Sequence, residues 1–202
     1  MGKDLSAATT GKVVAIVLAA GSSSRMGQPK QLLEWEGKTL IRHILSKVSA
    51  AGISDIIVVL GANATKIKKE LDGLSLNLVY NEDWQEGMGS SVVAGTRESI
   101  QLDPQALLFV LVDQPYVSVQ LLQQIIEQHI QNPDAVIVSD YGPHPGVPAL
   151  FPAFFFPGLL ELSGDAGARK IIKQYTGKVC LVPFPEGKYD LDTPEDWQAF
   201  LS

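Results

Sequence analysis

The chain has 202 residues, with 16 Lys and Arg against 22 Asp and Glu for a formal net charge of −6. That length can bury one substantial core, and the acidic balance argues against nucleic acid or an anionic membrane surface as the main partner. A single cysteine, Cys180, excludes an internal disulfide and fits a reducing compartment; no apolar run reaches the roughly 18 residues that span a bilayer, and no hydrophobic targeting region is read at the polar opening MGKDLSAATTGK, so a cytoplasmic location is expected.

After a tail expected to be flexible over 1–12, the run Val13 to Leu18 has the unbroken hydrophobicity of a strand covered on both faces. It delivers a Gly/Ser loop. Gly21 and Gly27 let the backbone turn and approach a ligand, Ser22, Ser23 and Ser24 add hydroxyls without bulk, and Arg25 and Lys30 supply charge. An arginine fork with a lysine point charge suits a polyphosphate, although such a turn after a strand is also ordinary loop chemistry. Two familiar phosphate loops fail on spacing. Leu32 stands where the Walker glycine before Gly37-Lys38-Thr39 should be, and Val92 where a dinucleotide fingerprint starting at Gly87-Met88-Gly89 needs its third glycine.

Downstream, the spacing predicts a helix over 40–51, a strand over 55–60, a polar helix over 63–71 and a strand over 76–80. Asn81 to Ser91 reads as a polar loop leading into a helix that runs to about Ile100, and Ala106 to Val112 as a fourth strand. A helix over 119–129 and a strand over 135–138 follow. Residues 140–157 are rich in Gly, Pro and Phe and receive no regular element. A helix near 166–175, a strand over 178–182, which carries Cys180, and a terminal helix opened by Pro194 complete the chain. The whole reads as one α/β domain over 13–202, a mostly parallel sheet flanked by helices. Ligands in such a sheet bind beyond the carboxyl ends of the strands, which brings together the loop from Ala19, the loop from Asn81, and Asp113.

Asp113 directly follows seven apolar residues, so its carboxylate stands at the rim of the sheet. Beside a polyphosphate it needs a cation between, and magnesium takes one or two carboxylates with phosphate oxygens and water; the structural alternative is a helix cap or an Asx turn near Pro115. Asp192, ahead of Thr193 and Pro194, lies at the mouth of the last helix, where spacing favours a cap over a metal ligand. Alternation puts Asp190 on its side of the chain. His43, His129 and His144 lack the spacing of a metal pair.

Leu18-Ala19-Ala20-Gly21, Arg25-Met26-Gly27, Lys30, Asp113-Gln114-Pro115 and Asp192-Thr193-Pro194-Glu195-Asp196 together resemble the nucleotidyltransferases, and more narrowly the molybdenum cofactor cytidylyltransferases. Gly146 to Phe151 and Gly164 to Arg169 point to the narrower group. The resemblance implies a Rossmann-like fold of the nucleotide-diphospho-sugar transferase type. It also implies that a phosphate monoester attacks the α-phosphorus of CTP and releases pyrophosphate, without a general base.

By resemblance, Arg25 and Lys30 are the catalytic cations. Leu18, Ala19, Ala20, Gly21, Ser22, Ser23 and Ser24 hold the nucleotide together with Asn81, Gly87, Gly89 and Ser90, the last four lining the base and ribose pocket. Asp113 and Asp192 then hold Mg2+, which reverses the cap preference for Asp192. Ala20, where the guanylyl branch tends to have glycine, favours CTP over GTP. The acceptor is the pterin phosphate of the molybdenum cofactor, bound by Gly142 to Phe151 and the segment around Asp165 and Arg169, with a molybdoenzyme as client. Val147 stands where the family often has histidine, so a part for His144 is left open. The alternatives are guanylyl transfer, cytidylyl transfer to another phosphate monoester, or a non-catalytic cofactor carrier that docks through Phe151 to Pro157.

Overall fold

In a computed structural model, residues 11–142, 144–164 and 177–202 are described. The expected tail therefore lies mostly outside the described residues, as do the helix near 166–175 and the acceptor residues Asp165 and Arg169. Lys12, at the end of that tail, already belongs to the folded body: its carbonyl accepts from the Gln105 N–H at 2.8 Å, and its ammonium meets Asp55 at 3.2 Å.

Strand β1 (Val13–Ala19) is followed by a two-residue hairpin, β2 (Glu34–Trp35) and β3 (Lys38–Thr39), then helix α1 (Leu40–Ala50), β4 (Ile56–Leu60), α2 (Ala64–Glu70) and β5 (Asn77–Tyr80). Next come α3 (Met88–Ser99), β6 (Ala106–Leu111), α4 (Val119–Gln131), β7 (Val136–Asp140), β8 (Pro145–Pro152), α5 (Phe156–Leu160), β9 (Val179–Pro183) and a terminal helix, α6 (Pro194–Leu201). Seven strands form one sheet in the order β5-β4-β1-β6-β8-β7-β9. All pairings are parallel except the two made by β8, which runs antiparallel to both β6 and β7.

The apolar run of β1 is unbroken because both its faces are covered. Alternation sends Ala15 and Val17 into a core shared with Ile41, Ile44, Leu45 and Val48 of α1 and Leu122 and Ile125 of α4. It sends Val14 and Ile16 into a second core with Val92 of α3, Phe109 and Phe151. Helix α3 comes close to the sheet at Gly95, where an added Cβ would lie 2.6 Å from Ile16 Cγ2 and 3.0 Å from Val59 Cγ2.

The strand β8 was not expected from the sequence of 140–157. Pro145 and Pro148 argue against a strand because proline cannot donate to a ladder. The sheet accommodates the segment with a register irregularity between Val138 and Ser139, and the Ser139 hydroxyl donates to the Pro148 carbonyl at 2.7 Å. Of the four clustered phenylalanines, Phe151, Phe155 and Phe156 are core, while Phe154 is 81% exposed. Cys180 sits half-buried on β9, as its flanks predicted.

The chain leaves β1 for β4 and β5 on one side, then returns to place β6 on the other side of β1. That switch opens a crevice beyond the carboxyl ends of β1 and β6, where the loop after Ala19 and Asp113 both emerge.

Candidate active site

A cleft of about 500 Å³ lies in this crevice, lined by Ala20, Gly21 and Ser22 from the first loop, Trp84, Gly87 and Met88 from the loop after β5, and Asp113, Asp190 and Asp192. A larger cleft of about 910 Å³ against α1 contains Arg42 and Glu70, but these pair with each other at 2.6 Å. The smaller cleft gathers three aspartates and a lysine beside the Gly/Ser loop.

The loop after β1 turns its carbonyls toward protein donors. Gln31 Nε2 donates to the carbonyls of Ala19 and Gly21, both at 3.0 Å; the Ala62 N–H donates to Ala20 O at 3.0 Å, and the Met26 N–H to Ser23 O at 3.0 Å. Among the described residues, no acceptor takes the N–H groups of Gly21 through Arg25. Ser23 sits in the left-handed region at φ 55° and Gly27 at φ 74°, and the Ser23 hydroxyl accepts from the Lys30 N–H at 3.1 Å. A run of backbone N–H groups without protein acceptors among the described residues lies beside exposed Ser22 and Ser24, a donor set of the kind that can receive an anion.

The cations stand at its edge, engaged with carboxylates. Lys30 Nζ donates to Asp113 Oδ2 at 2.5 Å and to Asp192 Oδ1 at 3.0 Å, and Arg25 donates to Asp192 Oδ2 at 2.8 Å. Residues 25, 30, 113 and 192 thus converge although up to 167 positions separate them in sequence. Burial pulls the Lys30 pKa down, but the charge and hydrogen bond of Asp113, and then those of Asp192, outweigh it; the ammonium titrates above its ordinary value. Asp190 moves the other way from a typical carboxylate, up to about 6, first because of desolvation and then because of the negative charge of Asp113.

Both aspartates are free of the cap role that spacing offered. For Asp113, the following helix is capped by Ser118, whose hydroxyl accepts from the Leu121 N–H at 3.1 Å. Asp113 Oδ1 is buried with no hydrogen-bond partner, an arrangement that costs free energy unless a cation or donor meets that oxygen. For Asp192, Thr193 is the N-cap of α6, accepting from the Asp196 N–H at 3.2 Å, while the Asp196 carboxylate accepts from the N–H groups of Asp192 and Thr193 at 3.1 and 2.8 Å. This capping box, together with a bond from the Leu191 N–H to the Asp113 carbonyl at 2.9 Å, ties the two aspartates' backbones together.

Two carboxylates, one with an orphaned oxygen, fit a divalent cation that completes its shell with phosphate oxygens and water. Among the described residues, no three His, Cys, Asp or Glu side chains gather into a ready-made cage. Asp113 and Asp192 are the groups able to hold such an ion.

The remaining predicted residues divide. Leu18, Ala20, Gly21, Ser22 and Gly87 line the cleft, while Ala19 lies buried behind it. Asn81 is 5% exposed and fully engaged: its Nδ2 donates to the hydroxyls of Ser90 and Ser91 at 2.9 and 3.0 Å, and its Oδ1 accepts from the Asp83 N–H at 3.1 Å. Ser90 in turn donates to the carbonyls of Asp83 and Gly87. Asn81 and Ser90 brace the loop rather than face the cleft. Gly89 lets that loop approach Ser163 and Gly164, where an added Cβ would lie 2.9 Å from the Gly164 carbonyl. Trp84, Gln85, Met88 and Gln31, which sequence reasoning passed over, line the cleft instead. Trp84 packs against the end of β4 because Gly61 has no Cβ; one would lie 2.6 Å from Trp84 Cβ. His144 is exposed and stacks edge-on near Tyr141, with ring centroids 6.0 Å apart.

A family model described as "MobA-like NTP transferase domain" matches residues 15–179. A nicotine blue oxidoreductase of Paenarthrobacter nicotinovorans is 31% identical over 200 residues, covering 94% of this chain and 96% of that protein. A probable molybdenum cofactor guanylyltransferase of Bacillus mycoides (strain KBAB4) is 32% identical over 127 residues, 62% of this chain and 61% of that protein. The crystal structure of Rv0371c from Mycobacterium tuberculosis H37Rv superposes with a TM-score of 0.79 at 27% identity, over 94% of this chain and 98% of that one. A manganese complex of the same protein superposes with a TM-score of 0.73 at 26% identity, over 94% and 98%.

Proposed function

From the premise that the chain belongs to the MobA-like NTP transferase family, we propose that it transfers a cytidylyl group from CTP to the terminal phosphate of molybdopterin, with magnesium, and releases pyrophosphate. The observation that carries this reading is the convergence of Lys30 and Arg25 on Asp113 and Asp192 at the rim of a loop with unclaimed N–H groups.

The N–H groups of Gly21 to Arg25 and the hydroxyls of Ser22 and Ser24 receive the β- and γ-phosphates. Arg25 and Lys30 leave their carboxylates for phosphate oxygens, Lys30 beside the α-phosphate, where negative charge builds up. That exchange frees Asp113 and Asp192 for the metal, and it swaps one set of charge-assisted bonds for another. Asp113 and Asp192 would hold the metal, which when bound would supply positive charge to the reacting phosphates. The acceptor phosphate is already an anion, so its oxygen attacks the α-phosphorus directly. The new P–O bond forms as the bond to the β-phosphate oxygen breaks, and pyrophosphate leaves with that electron pair.

The choice of CTP rests on the floor of the cleft. Ala20 is 5% exposed, with its carbonyl held by Ala62, so its methyl cannot swing aside for a larger base. Such a contact discriminates by roughly 1–3 kcal/mol. The relatives named guanylyltransferases make GTP the competitor to test. Among the described residues no helix is long and apolar enough to cross a membrane, and the proposed partners are a nucleotide, a pterin phosphate and a molybdoenzyme client. Pyrophosphate release measured with CTP, GTP and ATP against molybdopterin tests the reading. The expected result is turnover fastest with CTP and dependent on magnesium; faster turnover with GTP would move the assignment to the guanylyl branch, and none with any triphosphate would reject transfer altogether.

A further inference from the structure

The side chain of Gln31 is 1% exposed, on the single helical turn Lys30–Leu32 directly after the loop. Both hydrogens of its amide nitrogen are spent on loop carbonyls, those of Ala19 and Gly21 at 3.0 Å, and its Oε1 faces the Ser23 hydroxyl at 3.5 Å. These are the carbonyls on either side of Ala20, whose own carbonyl goes to Ala62. A peptide unit that turns its C=O one way turns its N–H the other. A side chain that draws Ala19 O and Gly21 O inward therefore also sets the direction of the Ala20 and Ser22 N–H groups.

We infer that Gln31 is a positioning residue: it sets the loop's polarity by engaging two carbonyls with its buried amide, so that the groups left to a ligand are N–H donors. The inference rests on the reading of this loop as the triphosphate site. Without the amide, the two carbonyls lose the donor they share and turn toward solvent, which places partial negative charge where phosphate oxygens are to sit. The neighbouring Ser23 hydroxyl, which accepts from the Lys30 N–H, loses its second partner as well. Outside the strand ladders, no donor other than Gln31 takes these two carbonyls among the described residues.

The test uses the full chain and inorganic tripolyphosphate with magnesium as probe, followed by titration calorimetry, with the Michaelis constants for CTP and for the acceptor measured in parallel. Gln31→Met keeps the length of the side chain and removes both donors. The expected outcome is weaker tripolyphosphate binding and a higher KM for CTP by about 10- to 100-fold, with the acceptor KM unchanged. Gln31→Glu, which keeps the shape, loses the donors and adds a negative charge, is expected to weaken tripolyphosphate binding at least as much as Gln31→Met, and Gln31→Leu serves if the methionine variant does not fold. A folded variant that binds tripolyphosphate as tightly as the wild type overturns the inference, as does an equal rise in both Michaelis constants. If the wild-type chain itself does not bind tripolyphosphate, the reading of the loop falls first, and the two failures are told apart by that control.

Discussion

Replacing Lys30 with methionine removes the one ammonium shared by Asp113 and Asp192 while keeping the aliphatic stem. The Lys30 and Asp113 side chains are only 14% and 17% exposed, whereas Asp192 is 37% exposed and keeps Arg25. Breaking a fully buried pair by deleting one partner costs roughly 3–5 kcal/mol. Partial exposure and the surviving Arg25 contact bring this to about 2–3 kcal/mol, a fall of roughly 5–10 °C in melting temperature for a chain of this size. The more telling prediction concerns metal. In the wild type an ammonium already fills the space between the carboxylates, so Mn2+ alone should raise the melting temperature little. In Lys30→Met, Mn2+ finds Asp113 unpaired and Asp192 held by Arg25 alone, and at about a hundred times its dissociation constant it should restore roughly 2.7 kcal/mol. The assay is thermal unfolding of both proteins across a Mn2+ titration without nucleotide. A variant that melts with the wild type, or equal responses of the two proteins to Mn2+, would refute the argument that lysine and metal compete for one site.

Asp113→Asn keeps the shape but removes the charge, and pyrophosphate release should drop by more than about 100-fold, beyond what loss of a turn or cap would cause. For Asp190, whose folded carboxyl titrates at about 6 against 3.8 ordinarily, the native state holds an extra proton between those values, so its contribution to stability falls as pH rises through that window. Asp190→Asn should therefore be more stable than wild type at pH 7 to 8, by about 1 kcal/mol after allowance for the exposure of the residue, and lose that advantage below pH 4, as chemical denaturation at the two pH values will show. Gly95→Ala adds a helix-favouring methyl that meets Ile16 and Val59 at 2.6 and 3.0 Å, and should destabilise by about 1–3 kcal/mol in denaturant unfolding.

What could be read from the residues follows physical lines. The central strands were legible because both faces of β1, β4 and β6 are covered and the apolar runs leave no other reading. Their order was not, yet the rule that ligands bind beyond the carboxyl ends was enough to bring Asp113 to the Gly/Ser loop. Strand β8 was hidden because three prolines and a glycine disguise a segment that the neighbouring strands hold from both sides.

The cap at the mouth of α6 was legible: Thr193-Pro194-Glu195-Asp196 is itself a capping-box pattern, and it names Thr193, not Asp192, as the cap. Asn81 and Gln31 were opaque for another reason. A buried amide that braces a loop and an exposed amide that reads a base look alike in one sequence, and only the hydrogen-bond partners separate them. Trp84 escaped because its place in the cleft depends on the missing Cβ of Gly61, distant in sequence.

The most direct test of the account is a crystal structure with a non-hydrolysable CTP analogue and Mn2+, in which anomalous scattering locates the metal. The account predicts a manganese peak held by Asp113 and Asp192, with Lys30 and Arg25 moved onto phosphate oxygens and the phosphates seated on the N–H groups of Gly21 to Arg25. A complex in which Lys30 still bridges Asp113 and Asp192 while the triphosphate and metal sit elsewhere would contradict it.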